Sequence, residues 1–338
     1  MHDPAVCHRN LPILGAVNSS SPPPLSVLLA APRGFCAGVD RAIEIVELAL
    51  RVYGPPVYVR HAIVHNTHVV ADLERKGAVF VEDERDVPPD GLLVFSAHGV
   101  APEVRRNADD AGLRTIDATC PLVTKVHLEA GHYAEAGYSV VLIGHDGHQE
   151  VIGTMGHAPG SIWLVETPED VDALELPDPD RVAYVSQTTL SVDEAGAVIA
   201  RLRQRYPNAR GPRGDDICYA TQNRQDATKV LAERSDLVLV IGSDTSSNSQ
   251  RMVEVALASG VPAAYLVNDA GAIQDQWLDG VATLGLTSGA SAPEALIDEV
   301  VTRLKDRPGG AVVEPLEVVE EDMHFALPAG LRRLPLHQ

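Results

Sequence analysis

Long apolar runs are missing from this 338-residue chain. None approaches the ~20 residues that crossing a bilayer requires, and no basic segment leads into an apolar stretch at the N-terminus. The expectation is a cytoplasmic protein, where paired structural disulfides are disfavoured. Basic residues are scarce too: 27 Lys and Arg stand against 47 Asp and Glu, a formal charge of −20. Such a field repels nucleic acid and anionic membrane at long range, so neither is expected as a partner. A small anionic ligand is still admissible, provided backbone amides, hydroxyls and histidines hold it in place of a lysine patch. No GxxxxGK[ST] loop occurs, which disfavours triphosphatase chemistry. Cysteine is confined to Cys7, Cys36, Cys120 and Cys218 with no CxxC spacing, so neither a zinc ribbon nor a thioredoxin-like motif is supported.

What is present is a soluble-type composition, 45% apolar and 22% charged, on a length that suggests two or three domains. Residues 1–25, rich in Ser and Pro and without periodicity, read as a disordered tail that contains Cys7. Beyond it, strand-like runs such as "LSVLLAA", "GLLVFSA", "SVVLIG" and "DLVLVIG" alternate with helical patterns, the mark of an α/β protein with mainly parallel sheets. Six strands end in small polar turns that open helices, more than one nucleotide-binding unit requires. They suggest three similar α/β domains, 26–120, 121–217 and 218–315, followed by a C-terminal tail, 316–338, that packs back on the core.

The cysteines punctuate this pattern. Cys36 lies in "APRGFCAGVDRAIEIVELAL", where Gly34 and Gly38 break the chain before a helix beginning near Val39. Cys120 ends "RTIDATC" and precedes Pro121; Cys218 ends "GDDIC" and opens "YATQNRQDATKVLAERS". Each is expected at the carboxyl end of a strand beside a helix start, where open α/β sheets place ligands and where the helix dipole favours thiolate. Read singly, each is as easily a buried apolar cysteine. Together, three thiolates without a fourth suit an iron–sulfur cluster with one open iron better than a Cys₃ zinc site. A fourth ligand from Cys7 would require the tail to fold over the centre.

Histidines and hydroxyls add a second constellation. His65, His98 and His148 stand at strand-end turns and suit a neutral-to-cationic cradle for phosphate oxygens. His68 and His127 read as structural. "SDTSSNSQ" and "SGASAP" bring Ser246, Ser247, Asn248 and Ser291 to helix starts; ordinary N-capping explains one serine per helix, an anion site the dense run. Glu150, two residues after His148, is either a favourable charge at a helix start or a proton donor, with Thr188 and Thr189 completing a relay.

Taken in order, "PRGFCAGVDRAI", "VHN", "FSAHGV", "DATCPLVTKVH", "IGHDGHQEVIGTMG", "SQTTLS", "DDICYATQNRQ" and "SSNS" resemble the LytB/IspH family of 4-hydroxy-3-methylbut-2-enyl diphosphate reductases, from about Ser26 to "FALPAGLR". The resemblance implies a trefoil of three α/β domains around a [4Fe-4S] cluster held by Cys36, Cys120 and Cys218, which oxidation can degrade to [3Fe-4S]. It implies that His65, His98, His148, Thr188, Ser246, Ser247, Asn248 and Ser291 bind substrate, with Glu150, Thr188 and His148 catalytic. It also implies a low-potential donor such as ferredoxin or flavodoxin with its reductase. The alternatives are a non-redox iron–sulfur hydro-lyase, against which the serine and histidine cradle argues, since a small hydroxy acid more naturally needs arginine for its carboxylate, and a non-catalytic cluster sensor or carrier.

Overall fold

The structure, a computed structural model, describes residues 23–332; Cys7 and the expected N-terminal tail up to residue 22 lie outside them. The strands among the described residues are β1 (Leu25–Ala31), β2 (Val57–Arg60), β3 (Ala78–Val81), β4 (Leu92–Phe95), β5 (Arg114–Asp117), β6 (Ser139–Ile143), β7 (Ile162–Val165), β8 (Val182–Ser186), β9 (Leu237–Ile241), β10 (Ala264–Val267), β11 (Thr283–Ser288) and β12 (Ala311–Glu317). They form three sheets, ordered β10-β9-β11-β1-β12, β3-β2-β4-β5 and β7-β6-β8, and every pairing is parallel. The expected α/β architecture with parallel sheets is therefore what the chain adopts.

The burial follows the sequence pattern. β4, β6 and β9 ("LLVF", "SVVLI", "LVLVI") are buried at every position, as continuous apolar strands covered by helices on both faces must be. β12 alternates, carries Pro315 and lies at a sheet edge, where a missing N–H costs no ladder bond. Two strands are not conspicuous in the sequence: β3, "AVFV", because it is only four residues long, and β12 because Glu314 and Pro315 interrupt its apolar run.

Two details differ from the sequence reading. β1 precedes Cys36 yet pairs with β11 and β12 in the five-stranded sheet, not with the strands that follow it. Cys218 does not end a strand: residues 211–217 are irregular, and the Cys218 amide is instead donated to the Thr188 carbonyl at 3.1 Å, just past β8. Lys125 reinforces this splice. It pairs at 2.9 Å with the buried Asp216, whose other oxygen accepts from the Ser186 amide at 2.9 Å. Helix starts thus crowd one junction, although they arise from different sheets.

A buried imidazole wedges two of the site segments apart. His127, on the helix Pro121–Glu135, is 3% exposed and packs against Gly99 and Gly153, whose positions leave no room for a side chain beside its ring. It stacks on His157 with ring centroids 4.2 Å apart. Burial first, then the neighbouring His157, hold its pKa down to about 3. Unfolding restores an ordinary pKa near 6.5, so the unfolded chain takes up a proton that the folded chain refuses. Stability is then level above that pH and falls as pH drops below it. Urea unfolding of wild type and His127→Gln between pH 7 and 5 should show a slope smaller by about one proton, roughly 1.4 kcal/mol per pH unit, in the variant. Parallel slopes would mean that His127 is protonated in the folded chain.

Candidate active site

One cavity of about 100 Å³ collects almost every residue singled out in the sequence: Cys36, Cys120, Cys218, His65, His98, His148, Glu150, Thr188, Ser246, Ser247, Asn248 and Ser291. Gly38, Val39, Val64 and Val123 supply close-packed apolar wall between them. Each cysteine is the N-cap of a helix, Ala37–Tyr53, Pro121–Glu135 or Tyr219–Ala232. The Cys36 and Cys120 sulfurs cap no backbone amide and stay free for another partner. Cys218 Sγ takes a weak 3.4 Å bond from the Thr221 amide and lies 3.1 Å from its hydroxyl.

The thiols do not titrate as a helix dipole alone suggests. Burial raises all three, Cys120 up to about 12 and Cys218 up to about 11; neighbouring thiols add to the rise in those two, while Arg224 opposes it in Cys36. Backbone amides at the helix starts oppose this shift and lose to desolvation. Three crowded, dehydrated sulfurs become thiolates only when a cationic group compensates them, which is the condition a metal cluster meets. The space agrees. A Cβ on Gly38 would stand 2.8 Å from Cys120 Sγ and 3.8 Å from Cys36 Sγ, so only glycine leaves the gap between those sulfurs open. Among the described residues no three His, Cys, Asp or Glu are close enough to hold a single metal ion. Three sulfurs from three helix starts bordering one cavity form a donor set of the kind that thiolate-ligated iron–sulfur groups use.

Opposite the sulfurs, three imidazoles form a triangle, with centroids 4.0 Å apart for His65–His98, 5.3 Å for His65–His148 and 6.1 Å for His98–His148. Burial, then mutual repulsion, lowers His65 to about 4 and holds His98 well below its usual range; burial and His145 lower His148 to about 4. The cradle is therefore neutral before a ligand arrives, the neutral end of what the sequence allows. His148 caps the helix Gln149–Met155: its Nδ1 accepts from the Glu150 amide at 3.1 Å, which places the ring proton on Nε2. His65 Nε2 is buried without a protein partner.

The hydroxyls divide between capping and display. Ser246 Oγ accepts from the Ser249 amide and hydroxyl, an ordinary N-cap, yet its own proton remains uncommitted. Ser291 Oγ donates to the His65 carbonyl at 3.0 Å, joining a loop of the five-stranded sheet to one of the four-stranded sheet. Asn248 accepts from the Ala290 amide at 3.0 Å and so faces the Ser291 turn. Glu150 is fully enclosed; its Oε2 accepts from both the amide and the hydroxyl of Thr188, each at 2.9 Å. Burial outweighs those two bonds and raises its pKa, so a proton held there sits on Oε1.

Two sequence expectations are redistributed. Thr189 does not touch Glu150; its hydroxyl accepts from Gln187 Nε2 at 2.8 Å. Gln187, not singled out in the sequence, also accepts from the His145 amide at 3.1 Å and so fixes the loop that leads to His148. A lone amide at the end of the apolar strand β8 was its only signal. His68 stays outside the cavity, half exposed and 3.9 Å from Asp269.

Comparison with known proteins follows the same lines. The LytB protein family matches residues 27–305. A protein of Leifsonia xyli subsp. xyli named 4-hydroxy-3-methylbut-2-enyl diphosphate reductase is 58% identical over 307 residues, covering 91% of each chain. A protein of the same name from Azoarcus sp. is 57% identical over 306 residues, 90% of this chain and 97% of that one. Among solved structures, the E-1-hydroxy-2-methyl-but-2-enyl-4-diphosphate reductase of Plasmodium falciparum superposes with a TM-score of 0.89 at 40% identity, covering 92% of this chain and 98% of that one. A second, described as the terminal enzyme of the non-mevalonate pathway, gives a TM-score of 0.60 at 32% identity over 84% of this chain and all of that one.

The neutral triangle makes a direct prediction about anions. A polyanion between the rings favours their charged form, so its binding must raise imidazole pKa values from near 4 toward or beyond the ordinary 6.5, and binding must tighten as pH falls. Titration of histidine ring signals by NMR, with and without inorganic diphosphate, reads this directly in the metal-free chain. Ring pKa values that ignore bound diphosphate would remove the histidines from the anion site.

Proposed function

The chain belongs to the LytB protein family, and from that premise we propose that it reduces (E)-4-hydroxy-3-methylbut-2-enyl diphosphate. Two electrons and two protons enter, the C–O bond of the allylic hydroxyl breaks, and water leaves with isopentenyl or dimethylallyl diphosphate as the product. This is the last step of the non-mevalonate isoprenoid pathway. The observation that carries the reading is one cavity holding three unspent thiols, a neutral imidazole triangle and a buried acid.

Cys36, Cys120 and Cys218 would hold a [4Fe-4S] cluster with its fourth iron free of protein ligands. When bound, the cluster supplies electrons singly and a Lewis-acidic iron for the hydroxyl group. Everything else falls to side chains of this chain. Nε2 of His148, the rings of His65 and His98, and the donors of Ser246, Ser247, Asn248 and Ser291 bind the diphosphate and set the direction of the carbon chain. The valines of the wall keep bulk water from the reacting carbons. Glu150 holds its proton at Oε1 and delivers it to the departing hydroxyl oxygen; Thr188 keeps the carboxyl oriented through Oε2. Protonation of the allylic unit at one end or the other decides between the two products. The electrons come from a low-potential carrier such as ferredoxin or flavodoxin with its reductase.

The cavity wall contains neither arginine nor lysine, which suits a diphosphate met by neutral donors and helix starts and not the carboxylate of a hydroxy acid. Anaerobically purified protein should be brown and should reduce the hydroxy-diphosphate when given a low-potential one-electron donor. Glu150→Gln should retain iron and bind substrate but turn over about 10²-fold slower or worse, the usual cost of losing a proton donor. Colourless protein with stoichiometric zinc would sink the cluster reading, and full activity in Glu150→Gln the proton-donor assignment.

A further inference from the structure

The three cysteine segments are tied together by two arginines, and both arginines are completed by the same stretch of chain. Arg224 is wholly buried. Its Nη2 donates to the Gly34 carbonyl at 2.9 Å and its Nη1 to the Ala220 carbonyl at 3.3 Å, so one guanidinium spans the segments of Cys36 and Cys218. Arg41, on the helix headed by Cys36, donates through Nη1 to the carbonyls of Ala118 and Thr119 at 3.3 and 3.0 Å, just before Cys120. The remaining donors turn to the C-terminal stretch: Arg224 Nη1 pairs with Glu321 at 2.9 Å, and Arg41 Nε donates to the Ala326 carbonyl at 2.9 Å.

That stretch, residues 318–328, has no regular secondary structure. It starts on the five-stranded sheet, where the Val318 amide donates to the Ala31 carbonyl at 3.0 Å, and ends with Leu327, and then Leu331, packed on the core of the four-stranded sheet. A carbonyl offers Arg224 only a dipole, and its Nε is buried without a partner. Its full charge is balanced by Glu321 alone among the ion pairs it makes. A buried guanidinium stripped of its carboxylate cannot stay where it is at tolerable cost. The position of the Gly34 turn therefore depends on a residue far along the chain that never reaches the cavity.

We propose that residues 318–328 form a latch on the cysteine site, in which Glu321 and Ala326 hold Arg224 and Arg41 so that these two positioning residues keep the three cysteine segments in the register that retains the cluster. This rests on the cluster reading above and adds to it which residues outside the cavity govern retention. Outer partners of this kind alter metal affinity by about 10–100-fold when removed.

The test uses the full chain, loaded anaerobically with iron and sulfide, as wild type, Glu321→Ala, Glu321→Gln and Arg41→Met. Release of iron to a chelator is followed by absorbance, and thermal unfolding of the cluster-free chains by circular dichroism. Iron release, measured well below the temperature at which any of the cluster-free chains unfolds, should be about tenfold faster or more in Glu321→Ala and Arg41→Met. Glu321→Ala lowers that unfolding temperature because it strips a buried guanidinium of its carboxylate, and Arg41→Met, which leaves no buried charge unpaired, keeps it close to wild type. Glu321→Gln, which keeps an acceptor for Arg224 without its charge, should fall between. Release rates equal to wild type overturn the latch. So does acceleration in Glu321→Ala with none in Arg41→Met, because loss of stability alone then accounts for it. A wild-type chain that takes up no iron and sulfide overturns the cluster reading and the latch together, which separates that failure from the others.

Discussion

Desolvation where three parallel sheets present their loops acts on every ionisable group there, and in one sense: it disfavours charge. The cysteines are pushed up as thiols, Glu150 is pushed up as an acid, and the three imidazoles are pushed down as neutral rings. The empty cavity is thus an assembly of neutral groups, each close to a charged state that a suitable partner would restore. A cationic cluster compensates thiolates, and a diphosphate compensates imidazolium. The same burial that makes the site costly to ionise makes it selective, because only a ligand set bringing both signs of charge satisfies it.

The acidic surface and the absence of lysine from the cavity belong to one solution. A site built on mobile ammonium groups would bind any polyanion that reached it. Here the available donors are amides and hydroxyls at helix starts, fixed by the backbone, and buried rings, of which His148 is held by its own hydrogen bond. Parallel strands deliver this economically, since β2, β4, β5, β6, β9 and β11 each lead through a short turn into a helix start that lines the cavity or borders it. Cys218 is the exception that shows the constraint. Its own sheet supplies no strand for it, and the Thr188 carbonyl, Asp216 and Lys125 bring it to the junction by side-chain bonding instead.

Much of this was legible in the sequence because chemistry-bearing residues at helix starts leave a local trace. Cys36, His148 and Ser246 each sit between a turn and a helical period, and the structure brings them together as that pattern implied. What was not legible depends on long-range pairing. Nothing in "LSVLLAA" says that β1 joins the strands following residue 236, because parallel partners are set by crossover topology and not by local period. Nor does a single arginine in "YATQNRQ" announce its burial against Gly34 and Glu321. The sign of the thiol shift was also hidden, since the dipole at a helix start is local while the desolvation that overrides it is a property of the assembled junction.

The segment from His148 to Glu150 shows how short a piece of chain can fix a reaction coordinate. The Glu150 amide commits His148 Nδ1, so that ring offers Nε2–H and nothing else to a ligand. Two residues on, the Glu150 carboxyl is committed at Oε2 by Thr188 and keeps only Oε1 for a transferable proton. On the proposed reading, one anion donor and one proton donor would be held at a fixed separation by a single helix start, braced against the strand end that carries Thr188. A substrate would satisfy both only if its diphosphate and its hydroxyl lay the matching distance apart, so the hydrogen bonds that set the protonation states would also set the length of carbon chain accepted.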